Sequence, residues 1–250
     1  MRSRAGAGRE DVGTPFLLLP GAGGRAWYWH RLVPELERRG HRVAAVDLPA
    51  DDDTAGLEAY ATVATAALDA LVAAGGDGDA VVVAQSMGGL TAPLVAARRP
   101  VRLLVLLNAM VPRPGETGGE WWDAVDQAGA RAALAREQGR PEDGDGETDF
   151  SHDVPPEVWA AGAEEVGDQS GTPFGEPWPL PSWPDVPTRV LAGRDDRFFP
   201  LALQRRVARD RLGLDVVEVP GGHLCALSRP AELADALDAL LVAEPTRPVT

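Results

Sequence analysis

Apolar residues fall into two patterns along this chain, which differ in length and in period. Short, nearly continuous apolar runs bounded by glycine, proline or charged residues are typical of buried strands. Longer stretches, in which apolar residues recur every three or four positions, are typical of helices that pack on one face. The runs predict strands at residues 16–19, 42–46, 80–83, 102–107, 188–192 and 215–219. The longer stretches predict helices at residues 27–39, 57–74, 201–211 and 230–241, and one that follows Ser86 and ends at about residue 99.

Strands and helices alternate three times before residue 107 and alternate again after residue 188. Such alternation predicts an α/β fold, with a mostly parallel sheet of about six strands and helices on both faces. Sheets of this kind bind ligands beyond the carboxyl ends of their strands. The glycine-rich loop at residues 20–24 and the turn around Ser86 both follow predicted strands, so we expect both at that edge.

The alternation stops between residues 112 and 185, and we interpret this segment as a cap insert over the active edge of the sheet. The segment contains many prolines and an acidic, glycine-rich stretch at residues 139–149. Its pattern predicts no strand and two short helical regions, at residues 120–137 and 156–166. The core would then consist of residues 1–111 and 186–250.

Tryptophan is concentrated in the proposed cap, which contains five of the seven tryptophans in the chain. Tryptophans in such a segment either line an apolar substrate pocket or attach the cap to the core, and the pattern favours neither use. The candidate pocket residues are Trp27, Trp121, Trp122 and Leu224.

The composition limits the possible partners. The 250 residues carry a formal net charge of -14, and every basic residue is an arginine. An acidic surface disfavours nucleic acid, anionic membranes and highly anionic substrates, which leaves a small molecule as the expected partner. The acidic runs at residues 51–53 and 142–147 lack an accompanying histidine, so we interpret them as solvated loops and expect no metal. The absence of lysine excludes Schiff-base chemistry.

Cys225 is the only cysteine, which excludes disulfides within the chain and a cysteine-based zinc site. No apolar run approaches the ~18 residues needed to span a bilayer. Residues 1–13 are polar and lack the apolar core of a secretion signal, so we expect a cytoplasmic protein. The oligomeric state is left open.

The stretch from Ala80 to Leu90 resembles a nucleophile elbow, in which a serine lies on a sharp turn between a buried strand and a helix. The motif requires small residues two positions before and two positions after the serine, because strand and helix nearly collide there. Ala84 and Gly88 fill these positions around Ser86. The alternative is a serine that only caps the following helix.

A serine hydroxyl needs a base to accept its proton and an acid to orient that base. Of the four histidines, only His223 follows a strand end on the same edge as Ser86. Asp195 and Asp196 both follow the preceding strand, and we favour Asp196, which comes three residues after Gly193. The order serine, aspartate, histidine is the order that this architecture uses.

Acyl transfer also needs hydrogen-bond donors for the developing oxyanion. The backbone N–H of Met87 is one candidate, because it lies at the start of a helix. The backbone N–H of Ala22, in the glycine-rich loop, is the other.

These residues and their surroundings resemble those of the α/β-hydrolase superfamily. Within it the chain is most similar to the small serine esterases that include plant methyl esterases, bacterial pyrethroid-type esterases and the related hydroxynitrile lyases. The matching stretches are PGAGGRAWYW at 20–29, DLP at 47–49, QSMGG at 85–89, LNAMVP at 107–112, GRDDRFFP at 193–200 and GHLCALSRP at 222–230. The resemblance implies a carboxylesterase that needs no cofactor, with Ser86 as nucleophile, His223 as base and Asp196 as acid. It implies Ala22 and Met87 as the oxyanion donors.

The chain departs from the family's pattern at four positions. Family members usually carry histidine where this chain has Pro20, and glycine where it has Ala84. The lyases carry threonine at the position of Gly21 and lysine at the position of Leu224. The absence of that lysine disfavours cyanohydrin cleavage.

Two other functions are compatible with parts of the sequence. Residues 21–26 fit the G-x-G-x-x-A pattern of a dinucleotide site, and Asp47 stands where a ribose-binding acid is expected. This NAD-dependent oxidoreductase hypothesis leaves the elbow and His223 unused, and residues 27–29 crowd the place of the pyrophosphate. The other hypothesis keeps the fold, as a small-molecule sensor or as a biosynthetic enzyme such as a lyase, cyclase or thioesterase.

Overall fold

The computed structural model describes residues 13–75, 80–142, 146–162, 165 and 167–242. The polar residues 1–12, on which the cytoplasmic expectation partly rests, lie outside the described residues. Part of the acidic run, residues 143–145, lies outside them as well.

Six strands form one parallel sheet, which confirms the predicted fold class. The strands are β1 (Pro15–Leu19), β2 (Arg42–Ala45), β3 (Val81–Gln85), β4 (Leu103–Leu107), β5 (Thr188–Gly193) and β6 (Val216–Val219). Their order across the sheet is β2-β1-β3-β4-β5-β6. From β1, the strands β3, β4, β5 and β6 follow one another across the sheet in chain order, and β2 lies on the other side of β1. The carboxyl ends of β3, β4, β5 and β6 are therefore neighbours.

Eleven α-helices lie within the described residues. They are α1 (Val33–Arg38), α2 (Leu57–Ala73), α3 (Gly88–Arg98), α4 (Gly118–Ala124), α5 (Gln127–Glu137), α6 (Gly146–Ser151), α7 (Pro156–Gly162), α8 (Thr172–Gly175), α9 (Leu201–Leu212), α10 (Cys225–Ser228) and α11 (Pro230–Val242). Helices α4 to α8 lie in the segment between β4 and β5, residues 112–185, which we call the insert. The other helices and the sheet form the body.

The hydrophobic core is divided by the sheet into two layers. In β1, Leu17 and Leu19 join the layer that contains side chains of α2, α3 and α9. Phe16 and Leu18 join the opposite layer, with side chains of α1, α10 and α11. Because every residue of β1, β3 and β4 is buried, these strands appear in the sequence as continuous apolar runs.

Two predicted helices are each divided in the structure. The helix predicted at residues 27–39 is a 3-10 turn, Ala26–Trp29, followed by the separate helix α1. Pro34 lies in the first turn of α1 and lacks the N–H that a continuous helix would use there. The helical region predicted at residues 120–137 is interrupted at Asp126, whose φ of 50° is left-handed. Asp126 caps α5 by accepting a hydrogen bond from the Gly129 N–H.

No helix in the described part of the chain is long and apolar enough to cross a membrane. The β pairing found within the described residues of the insert is one isolated bridge, between Thr117 and Pro177. The insert is therefore helical, as its pattern predicts.

Candidate active site

Ser86 lies on a tight turn between β3 and α3. Its φ of 51° is left-handed, which is uncommon for a residue with a side chain. A Cβ added at Gly88 would lie 2.7 Å from the Pro20 carbonyl oxygen, and one added at Gly21 would lie 2.8 Å from the Ser86 Cβ. Only glycine fits these positions without displacement of backbone or core. Ala84 is fully buried, so its extra methyl group is accommodated in the elbow.

His223 lies between Ser86 and Asp196. The Nε2 atom of His223 is 3.2 Å from the Ser86 Oγ, and its Nδ1 atom is 2.9 Å from Asp196 Oδ2. All three side chains are buried, since the exposed fraction is 8% for Ser86, 0% for His223 and 1% for Asp196. Asp195, the other candidate acid, is exposed. The structure thus brings together three residues that the sequence separates by up to 137 positions.

Asp196 is oriented by donors from its own loop and from α9. Its Oδ1 atom accepts hydrogen bonds from the N–H groups of Phe198 and Phe199, at 2.8 and 2.7 Å. Its Oδ2 atom accepts a longer bond of 3.3 Å from the Gln204 side chain and faces His223. One oxygen is therefore fixed by the backbone while the other is directed at the imidazole.

Three phenylalanine rings surround the imidazole. The ring centroids of Phe150, Phe198 and Phe199 lie 4.9, 5.0 and 4.9 Å from that of His223. Phe198 and Phe199 belong to the body, whereas Phe150 comes from α6 of the insert. The rings exclude water from the His223–Asp196 pair, so the hydrogen bond between them operates in a medium of low polarity.

The backbone amides of Ala22 and Met87 lie on the two loops that border Ser86. The hydrogen bonds of the described residues include no acceptor for either N–H group. The neighbouring Gly23 N–H, by contrast, donates to Gln169 Oε1 at 3.0 Å. Gln169 belongs to the insert and also donates to the Tyr60 hydroxyl, at 3.1 Å. The insert therefore holds the glycine-rich loop next to Ala22.

A cavity of about 240 Å³ opens beside Ser86. Its wall is mainly apolar and contains the side chains of Trp27, Tyr28, Phe150, Trp159, Leu224 and Leu227. Arg25 is the charged residue among those that line it. The cavity is smaller than the roughly 300–1,000 Å³ typical of drug-sized ligands, and it therefore suits a compact molecule.

Comparison with known proteins agrees with this geometry. The sequence profile described as "Alpha/beta hydrolase family" matches residues 16–236, most of the chain. The chain belongs to the alpha/beta hydrolase family.

Individual members of the alpha/beta hydrolase family resemble this chain over different lengths. A pyrethroid hydrolase of Sphingobium wenxiniae is 28% identical over 90% of this chain and 86% of its own. Methylesterase 3 of Arabidopsis thaliana is 30% identical over 62% of this chain and 59% of its own. An extracellular alpha/beta-hydrolase from a Paenibacillus species has a similar fold, with a TM-score of 0.71 at 16% identity, over 90% of this chain and 98% of its own.

Two of the four residues predicted to line the pocket of this hydrolase lie elsewhere. Trp27 and Leu224 do line the cavity beside Ser86. Trp121 is buried in the core, where its indole N–H donates to the Val111 carbonyl. Trp122 packs against Phe198, with ring centroids 5.7 Å apart. Neither Trp121 nor Trp122 is among the described residues that line this cavity, because their rings pack against Phe198 and Phe199.

The insert contributes cavity residues that sequence reasoning missed. Phe150 and Trp159 line the cavity, but neither belongs to a motif or to a clear apolar period. The concentration of tryptophan in the insert indicates that some of these rings could line a pocket. It does not indicate whether Trp159, Trp121 or Trp178 does so. Trp178 is 2% exposed, and its indole N–H donates to the Leu90 carbonyl. The insert thus uses tryptophan both to line the cavity and to attach itself to the body.

Polar contacts hold the insert over the His223 loop. Asp153 Oδ2 accepts hydrogen bonds from the Gly222 N–H and the Ser228 hydroxyl, both at 2.7 Å. Asp149 is 5% exposed. Its carboxylate pairs with Arg131 at 2.6 Å and with Arg140 at 2.9 Å. These carboxylates lie on either side of Phe150 in sequence and so fix the ring that covers His223.

Cys225 lies two residues after His223 but is unsuited to nucleophilic chemistry. The thiol is fully buried, and burial raises its pKa strongly, with a smaller contribution from the nearby Asp196 carboxylate. Burial also raises the pKa of the Tyr28 hydroxyl. Because the thiolate is the reactive form of cysteine, the protonated Cys225 leaves Ser86 as the candidate nucleophile.

Proposed function

We propose that this hydrolase cleaves small, mainly apolar carboxylic esters through an acyl-enzyme on Ser86. The proposal is carried by one observation, the continuous relay from Asp196 through His223 to Ser86 at the wall of an apolar cavity. Membership of the alpha/beta hydrolase family and likeness to a pyrethroid hydrolase and a methylesterase support it.

In the first half of the proposed reaction, His223 Nε2 takes the Ser86 proton as Oγ attacks the ester carbonyl carbon. Asp196 stabilises the imidazolium that forms and keeps the Nδ1 proton directed at its own carboxylate. The carbonyl oxygen becomes an oxyanion and accepts hydrogen bonds from the N–H groups of Ala22 and Met87. Collapse of this intermediate expels the alcohol, which takes the proton back from His223.

In the second half, water replaces the alcohol. His223 removes a proton from the water as its oxygen attacks the acyl carbon, and Ser86 leaves with that proton. The products are a carboxylic acid and a free enzyme, so the cycle needs no metal or cofactor.

The wall of the cavity supports an ester without a large polar group. Trp27, Trp159 and Leu224 offer apolar area, and the small volume limits the combined size of the acyl and alcohol parts. We also propose that the insert acts as the cap of the active site, because Phe150 and Trp159 contribute to the same cavity as Ser86. The cytoplasmic location stays a prediction.

Contacts within the described residues argue against an NAD-dependent oxidoreductase and against a hydroxynitrile lyase. Asp47, the candidate ribose-binding acid, accepts a hydrogen bond of 2.8 Å from the Ala26 N–H. The glycine-rich loop leads into a 3-10 turn of four residues, which lacks the long helix that binds a pyrophosphate. For cyanohydrin cleavage, Gly21 has no space for a threonine side chain and Leu224 supplies no cation.

Steady-state turnover of p-nitrophenyl acetate and butyrate tests the proposal. We expect multiple turnover by the wild type and a loss on the order of 10⁶-fold in kcat for Ser86→Ala and for His223→Ala. The double variant should be no worse than either single variant, because the two residues act as a unit. Asp196→Ala should also lose activity, whereas Asp195→Ala, the matched control at the exposed neighbour, should retain it.

Other results would assign the protein differently. A single stoichiometric burst of p-nitrophenol without turnover would indicate a sensor that is acylated once. Additive losses in Ser86→Ala and His223→Ala would exclude a shared proton transfer. Saturable binding of NAD in the micromolar range would support the oxidoreductase hypothesis.

A further inference from the structure

Asn108 connects the loops that carry Asp196 and His223. It directly follows β4, is fully buried, and has a left-handed φ of 45°. Its Oδ1 atom accepts a hydrogen bond of 2.6 Å from the Gly193 N–H. Its Nδ2 atom donates to the carbonyl oxygens of Gly222 and His223, at 3.0 and 3.1 Å.

The two loops contacted by Asn108 follow neighbouring strands. Gly193 ends β5, three residues before Asp196, and Gly222 and His223 come after β6. The acceptor required by Gly193 and the donors required by the two carbonyls determine which side-chain atom is oxygen and which is nitrogen. One planar amide therefore links the acid loop and the base loop, beside the direct hydrogen bond of 3.0 Å from the Asp195 N–H to the Gly221 carbonyl.

The chemistry of the contacts makes asparagine specific here. Aspartate has the same shape and keeps the acceptor for Gly193, but an ionised carboxylate cannot donate to Gly222 and His223. Glycine tolerates the left-handed backbone and removes every side-chain bond of Asn108, including a long contact of 3.9 Å to the Cys225 Sγ. A second amide, that of Gln85, reaches the His223 carbonyl only at 3.3 Å.

We propose that Asn108 is a positioning residue, which sets the distance between His223 Nδ1 and Asp196 Oδ2. The inference rests on the proposed function for its catalytic consequence, since the aligned pair serves the proton transfer from Ser86. Asn108 itself lies outside the residues that line the cavity, so it acts on the reaction through the two loops.

The test compares Asn108→Asp and Asn108→Gly with Leu104→Ala as the matched control. Leu104 is fully buried in the same strand and faces the hydrophobic core, so its truncation lowers stability without touching either loop. Two readouts are needed. One is the low-field proton resonance of the His223 Nδ1–H group, assigned by its loss in His223→Ala. The other is kcat and KM for p-nitrophenyl butyrate, measured well below each variant's unfolding temperature.

We expect both Asn108 variants to shift or broaden the Nδ1–H resonance and to lose about 10²-fold in kcat with little change in KM. Leu104→Ala should keep both the resonance and kcat while it unfolds at lower urea. An unchanged resonance in both Asn108 variants would overturn the inference, as would kcat losses no greater than in the control. If the wild type hydrolyses no ester, the proposed function fails, and the resonance alone decides whether Asn108 positions the pair.

Discussion

The body and the insert of this hydrolase are held in place by different kinds of contact. In the body, six strands and the surrounding helices pack through two continuous apolar layers. The insert adds only a few buried apolar side chains to these layers, and it is joined to the body by polar groups of Asp153 and Gln169 and by the indoles of Trp121 and Trp178.

The sequence therefore determines the position of the body strands and the position of the insert in different ways. Continuous apolar runs predict the central strands of the body, because both faces of those strands are buried. The insert has no such run, and a few specific contacts determine its position. The cavity takes its wall from both regions, so the chemistry of the body depends on the contacts of the insert.

The largest expected effect is the loss of a tryptophan anchor. Trp178→Ala should lower the free energy of unfolding by about 3–5 kcal/mol, because it removes a buried indole and leaves the Leu90 carbonyl without its donor. Urea unfolding followed by circular dichroism measures the change. Trp122→Ala, at a half-buried ring of the same insert, should lose clearly less. Equal losses in the two variants would mean that the insert is not anchored through Trp178.

A smaller loss is expected at the buried ion pair of the insert. Asp149→Asn keeps the shape of the side chain but leaves Arg131 and Arg140 without their shared charge. We expect a loss of about 1.5–3 kcal/mol in unfolding free energy. We also expect a lower kcat/KM for p-nitrophenyl butyrate, because the adjacent Phe150 covers His223.

The control for Asp149 is Glu142→Gln, which breaks an exposed pair between Glu142 and Arg136 in the same insert. Exposed pairs contribute little to stability, so this variant should behave like the wild type. If Glu142→Gln and Asp149→Asn have the same urea midpoint and the same kcat/KM, the buried pair does not secure Phe150.

The buried thiol of Cys225 should make the stability of the body depend on pH. Burial raises the pKa of Cys225 in the folded state, so folding disfavours the thiolate. The resulting stability is complete below the unfolded pKa of about 8.5 and is lost as pH rises above it. At about pH 9.5, the wild type should therefore lose roughly 1.4 kcal/mol relative to neutral pH, from this one thiol.

Cys225→Ala isolates the contribution of the thiol, because this variant should lack that part of the pH dependence. Equal pH slopes of the urea midpoint in the wild type and Cys225→Ala would show that burial does not suppress this ionisation.

The smallest effect is expected for an exposed ion pair of the body. Arg99 and Asp69 are joined at 2.7 Å, and about half of each side chain is exposed. Arg99→Gln should leave the urea midpoint unchanged within error, because solvent screens such a pair. A clear decrease would show that surface charges also hold the body together, and would weaken the contrast with the insert.

Sequence alone predicted the body well for a physical reason. Strands buried on both faces are apolar throughout, and helices that pack on one face repeat their apolar residues, so both leave local patterns. The positions of Ser86, Asp196 and His223 follow from the same patterns, because each residue lies within four positions of the carboxyl end of a strand whose direction is fixed by the parallel sheet.

The failures of prediction concern contacts between distant parts of the chain. Whether Trp121 or Trp159 faces the cavity depends on how the short helices of the insert are oriented. The spacing of apolar residues along the chain does not predict that orientation. The role of Asn108 depends on carbonyl groups 114 and 115 positions away. The division of helix 27–39 could have been foreseen from Pro34, whereas the break at Asp126 needed the tertiary structure.

The order of strands also bears on how the protein is made. Among the described residues, β6 is the last strand in sequence and lies at an edge of the sheet, where its one partner strand is β5. A growing polypeptide leaves the ribosome from its amino terminus, so the elbow and glycine-rich loop can fold before the proposed base has been synthesised. An incomplete chain that stalls before residue 215 therefore holds the hydroxyl of Ser86 but not the imidazole of His223, so the proposed ester hydrolysis requires that translation has passed β6.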